Sequence, residues 1–273
     1  MKAAAFEYLK PADVAGAVKA LAGSGGEAKP MGGGQSLGPM LNLRLARPKL
    51  VVDVSRLESM RVIEDKGSAW RIGGAVTHSA IEDAKLTGCT VMSDVARGIA
   101  YRTIRNRGTI GGSLAHADPA ADWPLALPAL AATIFIAGPA GERSVPAAEF
   151  MKGAFATVLA EDELVVAVEV PKLSASARWG YWKFCRKTGE FPEASAAMLL
   201  DPERKLARVW VGALNGAPQS LDALAADIAL RGSLAASETA VSAALEMCAP
   251  EPDAVQRRLH VTAVRRAVQK GFQ

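Results

Sequence analysis

Two glycine-rich segments, far apart in the sequence, constrain the fold of this chain more than any other feature. The first reads GGGQSLGP from Gly32, and the second reads TIGGSLAHADPAAD from Thr109. Glycine lacks Cβ and tolerates positive φ, so consecutive backbone N–H groups in such a segment can turn towards an anion. Both segments also place hydroxyl or amide side chains beside their glycines. The pattern predicts two loops that hold a pyrophosphate from two sides; two unrelated tight turns are the alternative interpretation.

The common nucleotide-binding motifs are excluded. The residues from Gly23 to Ala28 match GxGxxG/A formally, but they follow a predicted helix instead of joining a strand to a helix, so they do not indicate a Rossmann site. No GxxxxGK[ST] motif is present. The chain is therefore neither a standard NAD dehydrogenase nor a P-loop NTPase.

Composition narrows the class of protein further. Half of the 273 residues are hydrophobic, which is enough for a sizeable core, and the net charge of +4 is too mild to indicate nucleic-acid binding. Three cysteines lie far apart without a CxxC motif, so they cannot form a four-thiolate iron–sulfur or zinc site alone. No uncharged apolar run reaches the roughly 18 residues of a membrane span. We expect a cytoplasmic protein in a reducing compartment, without a membrane span or a nucleic-acid partner.

Periodicity predicts an α+β chain in two parts. A helix opens at Asp13, and buried strands lie at LVVDVS, TIFIAG and ELVVAVEV. Beyond Pro171 come a strand (YWKFCRK), a hairpin turned at Asp201 and Pro202, and two helices from about Ser237 and Asp253. We predict a larger domain over residues 1–172 and a smaller α+β domain over 173–273.

Four segments resemble one known family. GGGQSLGPMLNLRLARP, IGGAVTH, RGTIGGSLAHADPAADWP and YWKFCRKTGEFPEAS occur in the order found in the FAD-binding medium subunit of the molybdenum hydroxylases, the carbon monoxide dehydrogenase-like and xanthine dehydrogenase-like enzymes. The resemblance covers nearly the whole chain. It implies a two-part FAD-binding domain of the vanillyl-alcohol-oxidase-like type, followed by the family's own smaller C-terminal flavoprotein domain.

The resemblance also implies a set of residues that bind FAD non-covalently, with no catalytic side chain and no metal ligand. The two glycine segments would hold the pyrophosphate, Asp122 would bond polar atoms of the ribityl chain or near the ring, and Leu164 and Val165 would lie near the isoalloxazine or adenine. Phe191 matches an aromatic position of the family, commonly tyrosine, and would lie near the flavin ring. The full set is Gly32, Gly33, Gly34, Gln35, Ser36, Leu37, Thr109, Ile110, Gly111, Gly112, Ser113, His116, Asp118, Ala121, Asp122, Leu164, Val165, Lys183 and Phe191.

Some of these side chains have a second interpretation. His116 contacts phosphate or ribose, or it is a solvated loop histidine. Lys183 stabilises reduced flavin, or it forms a surface salt bridge. Outside the set, His78 is predicted to cap or pack at a helix start, and His260 to lie on a solvated helix face.

The implied function is electron transfer. A small partner subunit would carry [2Fe–2S] clusters and a large one a molybdenum–pterin centre, in a dimer of heterotrimers, and FAD would pass electrons to an external acceptor such as NAD, a quinone or oxygen. A self-sufficient FAD-dependent oxidoreductase of a small metabolite is the alternative enzyme, and a scaffold that binds an ADP-like ligand is the non-enzymatic alternative.

Overall fold

The computed structural model describes residues 2–251 and 253–273 and divides their strands among four sheets. A parallel sheet of order β1-β3-β2 comes first, and a five-stranded antiparallel sheet of order β4-β5-β10-β6-β7 follows, with a short β8-β9 pair. The strands are β1 (Glu7–Leu9), β2 (Ala28–Met31), β3 (Leu50–Asp53), β4 (Ile63–Asp65), β5 (Ala69–Gly73), β6 (Thr133–Gly138), β7 (Gly141–Pro146), β8 (Met151–Gly153), β9 (Ala156–Thr157) and β10 (Leu164–Pro171).

Eight short helices surround these sheets. They are α1 (Val14–Ala22), α2 (Leu37–Asn42), α3 (His78–Asp83), α4 (Val91–Arg97), α5 (Arg102–Arg105), α6 (Ile110–His116), α7 (Asp122–Ala129) and α8 (Ala147–Phe150).

The rest of the chain forms a four-stranded antiparallel sheet of order β11-β12-β13-β14, which is covered by helices. Its elements are β11 (Arg178–Phe184), β12 (Ala194–Asp201), β13 (Leu206–Gly212), β14 (Gln219–Ser220), α9 (Asp222–Arg231), α10 (Glu238–Cys248) and α11 (Ala254–Gly271). The α+β prediction is confirmed. In the part of the chain that the structure describes, no helix is long and apolar enough to cross a membrane.

Local sequence signals locate several elements correctly. Asp13 caps α1 by accepting a hydrogen bond from the Gly16 amide at 2.7 Å. Ser237 and Asp253 cap α10 and α11 in the same way, so both closing helices begin where predicted. The hairpin β12–β13 turns after Asp201, also as predicted.

The glycines of the second segment lie in a helix, not in a loop. Thr109 has extended backbone, and its hydroxyl accepts from the Gly112 amide at 3.2 Å, which starts α6 at Ile110. The prediction of a loop here was wrong because a threonine cap outweighs the low helix propensity of two glycines in a first turn. Ala117 ends the helix in the left-handed conformation.

The apolar cores follow the two predicted parts. Two clusters of buried side chains lie within residues 17–170, and a third lies within residues 194–268. A small fourth cluster joins the parts, where Leu125 and Ala129 of α7 pack against Ala197 and Trp210 of β12 and β13. The separate cores support a boundary between β10 and β11, and the division at residue 172 stays a proposal.

Candidate cofactor site

The fold brings the two glycine segments into contact. Gly33 is buried, and a Cβ at this position would overlap the carbonyl group of Arg107, two residues before Thr109. A Cβ at Gly32 would lie 2.6 Å from the Thr109 hydroxyl oxygen. Segments more than 70 residues apart therefore form one surface, and the absence of a side chain at Gly33 lets them meet.

The first segment offers an unbroken run of backbone donors. From the end of β2 to the first residue of α2, the amide groups of residues 32–37 donate no hydrogen bond within the described part of the chain. The Gln35 side chain donates to the Gly33 carbonyl at 3.2 Å, and the Ser36 hydroxyl does not cap α2. A run of unpaired amides in a turn is suited to an anion such as a pyrophosphate.

The second segment does not offer its amides in this way. The amides of Ile110 and Gly111 donate to the carbonyls of Val76 and Gly74 at 3.1 and 2.9 Å, and that of Gly112 donates to the Thr109 side chain. The Ser113 amide is likewise used inside α6. The expectation that these N–H groups turn towards an anion was wrong for these residues, because the protein itself accepts their hydrogen bonds.

Gly111 has a different role from the one its motif indicated. A Cβ at Gly111 would lie 2.7 Å from the Gly74 carbonyl oxygen and 2.9 Å from its Cα, so glycine is needed for α6 to pack against the end of β5. Bulk added at Gly111 would displace the helix before it reached any ligand. The Ser113 hydroxyl makes no hydrogen bond to the described residues, so it is available to a bound group.

Asp122, the last residue of the second segment, stands at the centre of a charged cluster. It is the first residue of α7 and is buried. Its Oδ1 accepts from the Lys183 ammonium at 2.7 Å and from the Tyr181 hydroxyl at 2.6 Å. Lys183 also donates to the carbonyl of Gly98, at the end of α4, at 2.9 Å. The cluster holds a carboxylate and a balancing cation side by side.

Lys183 was predicted to stabilise reduced flavin or to form a surface salt bridge. Its side chain is only 16% exposed, which is unlike a surface pair. Tyr181 was missed by sequence reasoning altogether. The available signal was strand alternation in Tyr-Trp-Lys, which puts Tyr181 and Lys183 on the same face.

His78 packs beside the start of the second segment. Its ring lies against Gly108, and its Nδ1 accepts from the Trp123 indole N–H at 3.1 Å. Burial lowers the pKa of His78 to about 4, although the nearby Asp122 carboxylate opposes that shift. His78 is therefore a neutral packing residue, in agreement with its prediction. His260 is also buried, with Nε2 3.2 Å from the Ala213 carbonyl, so its predicted solvation was wrong.

The surroundings of the remaining predicted residues do not by themselves indicate contact with a cofactor. The side chains of Leu164 and Val165 are buried in two different cores, on opposite faces of β10. The His116 ring packs 5.2 Å from the ring of Phe155, and Phe191 is 62% exposed. Asp118 accepts from the Ala120 amide, while Ala121 and Leu37 flank helix starts. Their roles in cofactor binding stay predictions.

The residues present fit FAD. Unpaired amides suit its pyrophosphate, a carboxylate suits the hydroxyl groups of its ribityl chain, and a cation suits the negative charge of its reduced ring. No group of three or more histidine, cysteine or acidic side chains in residues 2–251 and 253–273 is arranged to hold a metal ion. Cys89, Cys185 and Cys248 are free thiols, and the cytoplasmic location expected from their sparseness stays a prediction.

Comparisons with known proteins identify the family. Residues 4–173 match the family described as FAD binding domain in molybdopterin dehydrogenase. The chain is 34% identical over 254 residues to the carbon monoxide dehydrogenase medium chain of Hydrogenophaga pseudoflava, covering 91% of this chain and 88% of that relative. It is 36% identical over 221 residues to the nicotine 6-hydroxylase medium subunit of Paenarthrobacter nicotinovorans, covering 79% and 77%.

Solved structures agree along the whole length. A carbon monoxide dehydrogenase from Hydrogenophaga pseudoflava that lacks the Mo-pyranopterin moiety of its cofactor superposes with a TM-score of 0.92 at 31% identity, covering 100% of this chain and 99% of that chain. Quinoline 2-oxidoreductase from Pseudomonas putida 86 gives 0.89 at 31% identity, with coverage of 99% and 98%. The chain therefore belongs to the FAD-binding medium subunits of the molybdenum hydroxylases, and is an oxidoreductase component.

Proposed function

We propose that this chain transfers electrons through one non-covalently bound FAD, from [2Fe–2S] clusters on a partner subunit to an external acceptor. The observation that carries the proposal is the run of unpaired amides at residues 32–37, which adjoins the second glycine segment. FAD supplies hydride and single-electron chemistry when it is bound. The chain's own residues need only hold the cofactor and adjust its electrostatic surroundings.

Each part of the site would have a separate task. The amides of the first segment and the Ser113 hydroxyl would bind the pyrophosphate. Asp122 would accept hydrogen bonds from the ribityl chain or the ring. Lys183 would place a cation near the flavin, which stabilises negative charge on the reduced ring at close range. No side chain is required to transfer a proton.

The proposal includes two kinds of partner. Medium chains and medium subunits among the relatives imply small and large companions, and we propose an iron–sulfur subunit, a molybdenum subunit and a dimer of such heterotrimers. Three scattered cysteines are too few for the clusters, which supports their location on another chain. In this proposal the large subunit selects the substrate, and the FAD of this chain reduces the acceptor.

The first test is cofactor content. The purified chain should be yellow, with a flavin absorption spectrum, and the flavin released by denaturation should co-elute with FAD in one-to-one amount. A colourless protein that binds ADP but no flavin would support the scaffold interpretation and contradict this proposal.

The second test concerns the junction of the two segments. Gly33→Ala should weaken FAD binding at least tenfold, because a Cβ at position 33 overlaps the Arg107 carbonyl and separates the segments. Gly216→Ala is the control, since a Cβ there meets no protein atom within 4 Å and Gly216 lies outside both glycine segments. Fluorescence titration of each apoprotein with FAD measures the difference, and circular dichroism establishes that both variants fold. A folded Gly33→Ala protein with wild-type affinity would refute the assigned location.

The third test concerns the complex. Purification from the source organism should give three chains with iron and molybdenum, and the isolated chain should be yellow but unable to oxidise the substrate of the complex. A fully active flavoenzyme composed of this chain alone, without either metal, would favour the self-sufficient oxidoreductase.

A further inference from the structure

Tyr181 makes a contact that the proposed function does not explain. Its hydroxyl donates to Oδ1 of Asp122 at 2.6 Å, the same oxygen that accepts from the Lys183 ammonium. Burial raises the pKa of Tyr181 well above its usual range, and the adjacent Asp122 carboxylate raises it further. The hydroxyl therefore keeps its proton at neutral pH and acts as a donor. Two donors thus converge on one oxygen of a buried carboxylate.

The second oxygen of Asp122 is in a different position. Oδ2 accepts no hydrogen bond from the described residues. In the part of the chain that the structure describes, the fully enclosed polar side-chain atoms without a partner belong to Trp210, His260 and Arg265, not to Asp122. Oδ2 is therefore still accessible and available to a further donor. A carboxylate held through one oxygen presents its other oxygen in a fixed direction.

Strand geometry fixes the direction of Tyr181 in turn. Along β11, Trp182 packs with the core beneath α11, whereas Trp179, Tyr181 and Lys183 lie on the opposite face, towards α7. The rings of Trp179 and Tyr181 are stacked, with centroids 6.3 Å apart and planes 6° apart. The Tyr181 side chain thus has a packed ring and a single hydrogen bond, which its hydroxyl donates to Asp122.

We propose that Tyr181 is a positioning residue of the cofactor site: it fixes Oδ1 of Asp122, so that Oδ2 is presented to donor groups of the bound flavin. The inference rests on the proposed binding of FAD beside Asp122. Tyr181 acts through the carboxylate and does not itself contact the cofactor. Tyr181 lies on β11, in the second part of the chain, whereas Asp122 lies in the first part. The second part therefore orients a hydrogen-bond acceptor that belongs to the first part.

The test compares two aromatic substitutions on the same face of one strand. Tyr181→Phe removes only the hydroxyl, and Trp179→Phe is the control, because Trp179 stacks on Tyr181 but donates no hydrogen bond to Asp122. Titration of the full-length apoprotein with FAD should give a dissociation constant roughly tenfold higher for Tyr181→Phe. The midpoint potential of the bound flavin should fall, because a carboxylate with one donor fewer repels added electrons more strongly. Trp179→Phe should change the affinity less than twofold.

A double-mutant cycle shows whether the effect of Tyr181 on the bound flavin depends on Asp122. In an Asp122→Ala background, which has no side-chain acceptor for the Tyr181 hydroxyl, Tyr181→Phe should cause no further change in FAD affinity or midpoint potential. The inference would be overturned if Tyr181→Phe had the same effect in both backgrounds. It would also be overturned if the wild type bound FAD and Tyr181→Phe bound it as tightly as Trp179→Phe. A wild-type protein that binds no FAD would overturn the proposed function as well, so the two failures are distinguishable.

Discussion

At the scale of single residues, His78 shows how burial creates a pH dependence. Its pKa is lowered to about 4 in the folded chain, against roughly 6.5 in an unfolded one. Below about pH 6.5, the unfolded chain therefore binds a proton that the folded chain does not. The stability contributed by neutral His78 is complete above that pH and is lost as the pH falls towards 4, by roughly 3 kcal/mol in total.

We predict that His78→Gln reduces this dependence. Glutamine does not titrate, and its side-chain oxygen can accept from the Trp123 indole, which now donates to His78 Nδ1. Between pH 7.5 and 4.5, the free energy of unfolding should fall less for His78→Gln than for the wild type. Urea unfolding at both pH values measures this difference, and carboxylates common to the two proteins cancel. Parallel pH profiles would show that His78 is not the group responsible.

At the scale of elements, Thr109 decides the start of α6. Thr109→Val keeps the shape of the side chain but removes the acceptor of the Gly112 amide, so it should lower the free energy of unfolding by about 1 kcal/mol. Thr109→Ser retains the hydroxyl and should lie within about 0.5 kcal/mol of the wild type. Chemical denaturation of both variants tests the cap. A valine variant as stable as the serine variant would mean that packing alone starts the helix.

The same element explains what sequence reasoning could and could not predict. The helices that begin after Asp13, Ser237 and Asp253 were predictable because capping is local and because apolar residues at helical spacing follow each cap. Gly111 was misinterpreted because its requirement comes from Gly74, a distant residue whose backbone it touches. The family resemblance indicated Asp122 and Lys183, but only the packing of β11 against α7 showed that they pair and that Tyr181 joins them.

At the scale of the whole molecule, the two parts are joined by a small apolar contact. Leu125 lies in the cluster that joins α7 to β12 and β13, whereas Leu127 lies in the core of the first part. Both are fully buried, so alanine at either position should cost about 2–5 kcal/mol. The wild type should unfold in one thermal transition, because each part stabilises the other.

The two leucine variants should differ in the number of transitions in their thermal unfolding profiles. Leu125→Ala should separate the transition into two, whereas Leu127→Ala should lower the midpoint of a transition that stays single. Differential scanning calorimetry distinguishes these profiles. Two transitions in the wild type, or identical profiles for both variants, would show that this contact does not couple the parts.

The pairing of Asp122 with Lys183 and Tyr181 also has a consequence for the order of events during protein synthesis. Translation proceeds at about 5–20 residues per second, so the carboxylate leaves the ribosome several seconds before the cation and hydroxyl that satisfy it. Until β11 emerges and packs against α7, the nascent first part contains a carboxylate without these partners. If Asp122 holds the flavin as proposed, firm retention of FAD requires most of the chain, and a truncated product of translation would not remove FAD from the cell's supply.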